Sequence, residues 1–293
     1  MSTQKIALII PALNEEAALS HLLTELPRDI TDWIIVVDNG STDATAAVAQ
    51  TAGAIVASEP TRGYGRACLK GLKTASSLGA DIVIFMDGDG SDDPADLPSM
   101  LAPIREGHAD LVIGSRVTKH SERGAIPPQA RLGNWLVSRL ICLLYGVHLH
   151  DIGSFRIIPC SLLEALEMGE MTFGWPVEML VKAARARYRT VELPIHYRHR
   201  THGRSKVAGT LSGSIKAAYA MLRTTLRYSI QPQASHTETR VLRSACHDPS
   251  HRAVILSAAK DLSSCPPSQL GEPEPVSILR PRIHQHLKRR THV

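Results

Sequence analysis

Five short apolar segments alternate with helical patterns between residues 5 and 114, and this alternation constrains the fold more than any other feature. The segments span residues 5–10, 33–37, 54–57, 81–86 and 109–114, and a further strand is predicted later in the chain at residues 190–195. The residues between them place leucine or alanine at helical spacing, as at Leu19, Leu22 and Leu26. Strands that alternate with helices form a mostly parallel sheet covered on both faces. We therefore predict an α/β domain whose ligands bind at the carboxyl ends of the strands.

The fourth segment ends in two carboxylates. Residues 82–90 read Ile-Val-Ile-Phe-Met-Asp-Gly-Asp-Gly, so Asp87 and Asp89 directly follow a buried strand. Carboxylate oxygens suit Mg²⁺ or Mn²⁺, and Mg²⁺ often binds one or two carboxylates together with substrate phosphates. This Asp-x-Asp motif indicates a divalent cation that holds a diphosphate. The same residues also suit an acidic turn that only ends a strand.

Two other classes of α/β enzyme agree less well with the sequence. A dinucleotide oxidoreductase needs Gly-x-Gly-x-x-Gly after its first strand, whereas residues 11–15 read Pro-Ala-Leu-Asn-Glu, which excludes that class. Residues 87–91 also resemble the nucleophile loop of haloacid dehalogenase phosphatases. Those enzymes usually carry this loop near the amino terminus and need a later acidic pair. We find no such pair after Ser115, so this class is a minor alternative.

Two later segments combine apolar and basic residues at helical spacing. Residues 131–145 carry Arg131 and Arg139 among leucines, and residues 211–230 carry Lys216, Arg223 and Arg227. This pattern is typical of helices that lie on a membrane surface, and equally of core helices with exposed cations. No segment approaches the ~18 apolar residues of a spanning helix, and the first residues lack a signal-peptide pattern. We expect a protein that is neither secreted nor transmembrane.

Positive charge is concentrated late in the chain. The net charge is +5, and no acidic residue occurs between Glu192 and Glu238. Within this region, residues 200–206 read Arg-Thr-His-Gly-Arg-Ser-Lys, which suits a phosphate-binding loop or a solvated basic loop. The region lacks interleaved aromatic residues for base stacking, so we do not expect nucleic acid as a partner.

The end of the chain differs in composition from the rest. From Gln231 the periodicity stops and proline, serine, histidine and arginine dominate, so we predict one domain at residues 1–230 and a poorly structured tail at 231–293.

The 5 cysteines are widely spaced and include no Cys-x-x-Cys pair. Such cysteines indicate reduced thiols in a cytoplasmic protein.

Taken together, seven motifs resemble the polyprenyl-phosphate glycosyltransferases of glycosyltransferase family 2, the group that includes dolichyl-phosphate mannosyltransferase. The resemblance spans Lys5 to about Ser229, and its motifs lie at residues 9–15, 37–43, 62–67, 86–89, 114–116, 151–156 and 200–206. It implies a GT-A fold, which is a Rossmann-like nucleotide-sugar-binding domain. It also implies inverting, metal-dependent transfer of a hexose from a nucleotide sugar to a polyprenyl phosphate.

The resemblance implies roles for individual residues as well. Asp87 and Asp89 bind the divalent cation, Mg²⁺ or Mn²⁺, and Asp89, Arg116 and Arg200 form the catalytic set. The nucleotide sugar and the acceptor phosphate are held by Pro11, Leu13, Glu15, Asp38, Gly63, Asp87, Gly88, Arg131, Ser205 and Lys206. In this scheme the arginines and the loop that ends at Lys206 hold the acceptor phosphate and close over the donor.

The sequence departs from the family pattern in two places. Mannosyl-transferring members usually continue after the second aspartate with Gln-His-Pro-Pro, whereas this chain reads Ser91-Asp92-Asp93-Pro94. Asp92 or Asp93 is a candidate to replace that glutamine at the metal, and GDP-mannose and UDP-glucose both stay open as donors. The membrane helices that some members carry are absent, so we expect peripheral contact at the cytoplasmic face, with undecaprenyl or dolichyl phosphate as acceptor.

Two alternatives remain at this point. One is the same donor chemistry with a non-lipid hydroxyl acceptor, for which Glu178 is a candidate general base. The other is a catalytically silent module that binds a nucleotide sugar or an anionic membrane.

Overall fold

A computed structural model describes residues 4–200 and 211–229, with side chains for 4–200 and 216–229. The strands are Ile6–Ala12 (β1), Trp33–Asp38 (β2), Ile55–Ser58 (β3), Ile82–Phe85 (β4), Leu111–Ser115 (β5), Arg156–Pro159 (β6) and Thr190–Pro194 (β7). The helices are Glu16–Glu25 (α1), Thr45–Thr51 (α2), Tyr64–Ser77 (α3), Leu97–Arg105 (α4), Pro128–Tyr145 (α5), Cys160–Ala165 (α6), Trp175–Arg185 (α7) and Leu211–Ser229 (α8). A 3-10 turn at Pro94–Asp96 precedes α4.

The strands form a 7-stranded sheet in the order β3-β2-β1-β4-β6-β5-β7. The pairs β3-β2, β2-β1, β1-β4 and β5-β7 are parallel, and β6 is antiparallel to both of its neighbours. The prediction of a mostly parallel α/β sheet is therefore confirmed. Because β6 runs in the opposite direction, its amino-terminal end lies at the same edge as the carboxyl ends of the other six strands.

Strand β6 is the one strand of the described sheet that the apolar segments did not predict. It contains only four residues and begins with a charged one, Arg156. All four are nevertheless buried, because β6 pairs with β4 through Ile157 and Ile84 and with β5 through Ile157 and Val112. Its conformation depends on these long-range partners rather than on local periodicity.

The core has one apolar layer on each face of the sheet. On one face Ile9, Val37 and Phe85 pack with residues of α3, α5, α6 and α7. On the other face Leu8 and Ile84 pack with residues of α1 and α4. Alternate residues of each central strand point to opposite layers, so these strands are apolar along their whole length.

The predicted boundary between a domain and a tail at residue 231 stays a prediction, because residues 230–293 lie outside the described residues. In the described residues, no helix is long and apolar enough to cross a membrane.

Candidate active site

Asp87 and Asp89 follow β4 at the ligand-binding edge of the sheet. Asp87 accepts hydrogen bonds from the hydroxyl of Ser154 to Oδ2 at 2.7 Å and from the hydroxyl of Tyr64 to Oδ1 at 3.3 Å. Asp89 is almost fully buried and accepts a hydrogen bond at Oδ1 from the backbone N–H of Ser91 at 2.9 Å. The hydroxyl of Ser91 also donates to that oxygen. These contacts fix the orientation of both carboxylates.

The electrostatic environment of Asp87 fits a cation-binding role. Burial and the negative charge of Asp89 raise the pKa of Asp87, although the hydroxyl of Ser154 and the charges of Arg200 and Arg116 oppose this shift. A carboxylate that is destabilised by burial and by a like charge gains when a cation binds. The described residues contain no group of three or more His, Cys, Asp or Glu side chains that could hold a metal ion by itself. Two aspartates therefore leave coordination positions for ligand oxygens.

Tyr64 and Ser154 support Asp87 through their hydroxyl groups. Burial and the charge of Asp87 raise the pKa of Tyr64 well above its usual value, so the phenol stays protonated and donates. Both residues occur in sequence motifs described above, but those motifs did not predict this contact with the carboxylate. Tyr64 begins α3, and Ser154 precedes β6, so the fold of distant segments brings them to Asp87.

Arg200 connects two acidic residues of the site. Its guanidinium lies 2.6 Å from Oδ2 of Asp89 and 3.7 Å from Oε1 of Glu15. The side chain of Arg200 is 28% exposed, so it remains accessible from the cavity that it lines. Arg200 is therefore placed to contact an anionic ligand beside Asp89. The next residues of the predicted basic loop, including Ser205 and Lys206, lie outside the described residues.

Arg116 follows β5 and is held by Asp151. Its Nε lies 2.7 Å from Oδ2 of Asp151 and its Nη2 lies 2.9 Å from Oδ1. Asn134 of α5 donates to Oδ1 of Asp151 at 2.7 Å, and the guanidinium lies 5.3 Å from the ring centre of Tyr197. Burial alone would raise the pKa of Asp151, but the charge and hydrogen bonds of Arg116 outweigh it and lower the pKa. Arg116 lines the cavity as a positioned cation.

The loops after β1 and β2 form another part of the cavity wall. Pro11 at the end of β1 and Leu13 and Glu15 after it line the cavity, and their assignment to the nucleotide sugar stays a prediction. Asp38 does not line it, because its Oδ1 accepts the backbone N–H of Ser41 at 3.0 Å inside the turn. The neighbouring Asn39 lines the cavity instead.

Asn39 organises the loop that leads into α3. Its Nδ2 donates to the carbonyl oxygens of Glu59 and Thr61, each at 2.9 Å, and its Oδ1 accepts the N–H of Gly63 at 2.8 Å. Gly63 has a φ of 156°, and a Cβ atom there would lie 2.4 Å from the carbonyl oxygen of Met171. The close approach of two backbone segments therefore requires glycine at residue 63.

One cavity of about 940 Å³ joins these groups. Its lining includes a charged and glycine-containing set, which we call the polar end: Gly63, Asp87, Gly88, Asp89, Arg116 and Arg200. It also includes an apolar set, which we call the apolar end: Ile126, Pro127, Ala130, Phe173, Ala217 and Met221. This apolar end lies between α5, α8 and the residues that precede α7. The cavity can therefore accommodate a ligand with an anionic group and an apolar body.

Two candidates from the sequence have other positions. Arg131 is exposed on α5 and does not line the cavity, whereas Gln129, Ala130, Gly133 and Asn134 of the same region do. Asp38 has the turn contact described above. Tyr197, in contrast, lines the cavity although the sequence contained no signal for it, because it follows β7 and reaches Arg116 only through the tertiary fold.

Glu178, the candidate general base, has a structural role. It is fully buried on α7, and its carboxylate accepts hydrogen bonds from the N–H groups of Gly169 at 2.9 Å and Glu170 at 2.7 Å. The hydroxyl of Tyr228 donates to it at 2.5 Å, and Lys182 lies 3.0 Å away. Glu178 does not line the cavity. These contacts contradict a role in deprotonating an acceptor.

Comparisons with known proteins show which sequences and folds this chain resembles. The family model described as Glycosyl transferase family 2 matches residues 7–167. An uncharacterized glycosyltransferase of Mycobacterium tuberculosis is 39% identical over 217 residues, which cover 74% of this chain and 96% of that protein. An undecaprenyl-phosphate mannosyltransferase of Micrococcus luteus is 30% identical over 220 residues, which cover 71% of this chain and 90% of that protein.

A third relative and a solved structure extend the comparison. A dolichyl-phosphate hexose transferase of Haloferax volcanii is 34% identical over 201 residues, which cover 67% of this chain and 83% of that protein. The fold is similar to that of glucosyl-3-phosphoglycerate synthase from Mycobacterium tuberculosis, with a TM-score of 0.62 and 24% identity over 80% of this chain and 81% of that chain. That crystal structure contains Mn²⁺, UDP and phosphoglyceric acid. Its fold confirms the predicted GT-A architecture.

Proposed function

Because this chain belongs to glycosyl transferase family 2 and is a glycosyltransferase, we propose that it transfers a hexose from a nucleotide sugar to a polyprenyl phosphate at the cytoplasmic face of the membrane. The donor is GDP-mannose or UDP-glucose, the acceptor is undecaprenyl or dolichyl phosphate, and the transfer inverts the anomeric configuration. The observation that carries this proposal is the single cavity that joins an acidic and basic end to an apolar end.

The polar end suits the donor and its leaving group. Asp87 and Asp89 would hold Mg²⁺ or Mn²⁺ against the diphosphate. When bound, this cation supplies positive charge that stabilises the leaving nucleoside diphosphate. Tyr64 and Ser154 keep the Asp87 carboxylate in one orientation by donating hydrogen bonds to its two oxygens. Pro11, Leu13 and Glu15 line the part of the cavity wall that we assign to the nucleoside.

The basic side chains suit an acceptor that is itself an anion. The second pKa of a phosphate monoester is about 6, so a lipid phosphate is largely ionised at neutral pH and needs no general base. Arg116 and Arg200 both line the cavity, and their charges reduce the repulsion between this nucleophile and the anionic donor. The structural role of Glu178 supports the same conclusion, because a hydroxyl acceptor would need a base.

The exposed face of α5 and α8 suits a membrane surface. On α5, apolar residues at helical spacing are exposed beside two arginines: Leu132, Trp135, Leu136, Leu143, Arg131 and Arg139. On α8 the exposed residues are Lys216, Tyr219, Arg223, Leu226 and Arg227. We call these two sets the α5/α8 face. Exposed apolar and cationic side chains on one helix face are typical of contact with an anionic lipid surface. Ala130 of α5 and Ala217 and Met221 of α8 also line the apolar end of the cavity.

The proposal is tested by an assay of lipid-linked product. Purified protein is incubated with Mn²⁺ or Mg²⁺, radiolabelled GDP-mannose or UDP-glucose, and undecaprenyl or dolichyl phosphate, and the product is extracted into organic solvent. We expect label in the lipid phase with one of the two donors and none with the Asp87→Asn variant. Label that occurs only in a water-soluble product would reject the lipid acceptor and favour a hydroxyl acceptor. Turnover by Asp87→Asn equal to that of the wild type would reject the cation site.

A further inference from the structure

Asp92 is a buried carboxylate beside the two aspartates of the cation site. It is 1% exposed, and its Oδ2 accepts a long hydrogen bond from the backbone N–H of Asp87 at 3.5 Å. Its Oδ1 has no hydrogen-bond partner among the described residues. A backbone bridge between Asp92 and Tyr197 holds this segment in place. An unpartnered buried carboxylate oxygen is costly, so its retention needs a physical reason.

Asp92 adds a third carboxyl group to the surroundings of Asp87 and Asp89. Burial and the charges of these two aspartates raise the pKa of Asp92 well above its usual range, because they destabilise its ionised form, and a dication bound nearby would offset that cost. In the described part of the chain, Arg200 is the cation that pairs with this group, through Asp89. Arg116 is close enough to influence Asp92, but its guanidinium is paired with Asp151. Three acidic side chains with one directly paired cation form a site that favours the binding of a dication.

Asp93 does not share this environment. Its carboxylate lies 2.6 Å from Nη2 of Arg198, and its Oδ1 accepts the backbone N–H of Ala95 at 3.0 Å. Burial would raise the pKa of Asp93, but the hydrogen bond and charge of Arg198 outweigh it and lower the pKa. Of the two candidates to replace the glutamine of the family pattern, Asp92 is therefore the one that contacts Asp87 and has no paired cation among the described residues. The hydroxyl of Ser91 is used by Asp89.

We propose that Asp92 is a positioning residue of the cation site, whose buried carboxylate strengthens the binding of a divalent cation by Asp87 and Asp89. This inference rests on the proposed function, because that function places the cation on these two aspartates. Asp92 does not line the cavity, so it acts through the electrostatic potential and through its contact with the Asp87 backbone. A unit charge several ångströms from a dication in a partly buried site changes affinity by about tenfold or more.

The test measures the binding of Mn²⁺ alone to the full chain, by electron paramagnetic resonance of free aqueous Mn²⁺. The variants are Asp92→Asn, which removes the charge with little change in shape, and Asp93→Asn as the matched control. We expect the Kd for Mn²⁺ to rise about tenfold or more in Asp92→Asn. In Asp93→Asn we expect the Kd to stay within about twofold of the wild type, since that charge is paired with Arg198.

Thermal melting separates this role from a merely structural one. Asp92→Asn replaces a buried carboxyl group whose ionised form is destabilised and whose Oδ1 has no hydrogen-bond partner among the described residues, so we expect it to melt at the wild-type temperature or above it without metal. The rise in melting temperature on addition of Mn²⁺ is smaller than in the wild type, because binding is weaker. A lower melting temperature without metal, together with a wild-type Kd, would overturn the proposal and assign Asp92 a structural role.

The outcomes also distinguish this inference from the proposed function. Loss of Mn²⁺ binding in Asp87→Asn with wild-type binding in Asp92→Asn would overturn the role of Asp92 alone. Wild-type Mn²⁺ binding in Asp87→Asn would overturn the cation site of the proposed function as well. If Asp92→Asn does not fold, Asp92→Ser removes the same charge with a smaller side chain, and wild-type affinity in that variant would overturn the inference.

Discussion

Arg116 and Asp151 form a bidentate salt bridge between the loop after β5 and the segment before β6, with N–O distances of 2.7 and 2.9 Å. The side chain of Asp151 is fully buried and that of Arg116 is 16% exposed. Removal of one partner of a buried pair leaves the other charge uncompensated. This ion pair therefore both orients a cavity cation and stabilises the fold.

We predict that Asp151→Asn lowers the free energy of unfolding by about 3 kcal/mol, because the guanidinium of Arg116 then has no counter-charge. Urea denaturation at pH 7 measures this change. The control is Glu106→Gln, which removes an exposed partner of His108 and is expected to have no measurable effect. Equal stability of Asp151→Asn and the wild type would contradict a stabilising role for the pair.

Glu178→Gln tests the structural role of the buried carboxylate in α7. Burial raises the pKa of Glu178, but hydrogen bonds from Tyr228, Glu170, Gly169 and Lys182 outweigh it, so the net shift is downward. The ionised carboxylate therefore stabilises the fold above the unfolded-state pKa of about 4.3, and this contribution is lost as the pH falls through the lower folded-state pKa. We expect the variant to be less stable by about 2 kcal/mol at pH 7.

The pH dependence and the activity of this variant provide the checks. Urea denaturation between pH 7 and pH 3.5 should show the difference between wild type and Glu178→Gln shrinking below about pH 4.3. Because Glu178 does not reach the cavity, turnover per folded molecule should stay within a few-fold of the wild type. A loss of about 100-fold or more would instead support a general base.

Gly63→Ala tests the close approach of the loop before α3 to the backbone of Met171. An added Cβ atom would lie 2.4 Å from that carbonyl oxygen, so the loop must shift. We expect a loss of about 2 kcal/mol in stability and a higher KM for the nucleotide sugar, since residue 63 lines the cavity. Gly133→Ala in α5 is the control, because nothing lies within 4 Å of its Cβ position. A similar loss of stability in both variants would contradict the steric explanation.

Arg200→Gln is expected to change cation affinity and turnover in opposite directions. Loss of the guanidinium 2.6 Å from Asp89 removes a competing positive charge, so we expect Mn²⁺ to bind several-fold more tightly. Turnover should nevertheless fall by about 100-fold, because the anionic reactants lose a positioning cation. Arg198→Gln is the matched control, since Arg198 pairs with Glu25 and Asp93. Weaker Mn²⁺ binding in Arg200→Gln would show that the ion pair supports the site instead.

The double variant Trp135→Ser with Leu143→Ser tests the α5/α8 face. These side chains are 54% and 81% exposed, so their replacement should affect the fold little. Sedimentation with vesicles that contain anionic lipid should show affinity reduced by about tenfold or more, from the lost apolar burial. Leu78→Ser changes an exposed apolar residue at the C-cap of α3 and should bind vesicles like the wild type. Equal binding by all three proteins would contradict membrane contact through this face.

Local signals in the sequence determined the outline of this protein. Apolar segments predicted β1 to β5 and β7, because strands buried on both faces are apolar throughout. The two aspartates after β4 were predictable as site residues, since the carboxyl end of a buried strand is where ligands bind. The ordered motifs identified the family, and the family model confirms that identification.

Tertiary structure alone decided which polar groups face one another. The direction of β6 depends on its pairing with β4 and β5, and this direction brings Asp151 to Arg116 and Ser154 to Asp87. Likewise, local sequence could not separate Asp92, which lies beside the two aspartates, from Asp93, which pairs with Arg198. The physical reason is that periodicity and turn propensity act over a few residues, whereas burial and charge pairing depend on segments that meet only in the folded chain.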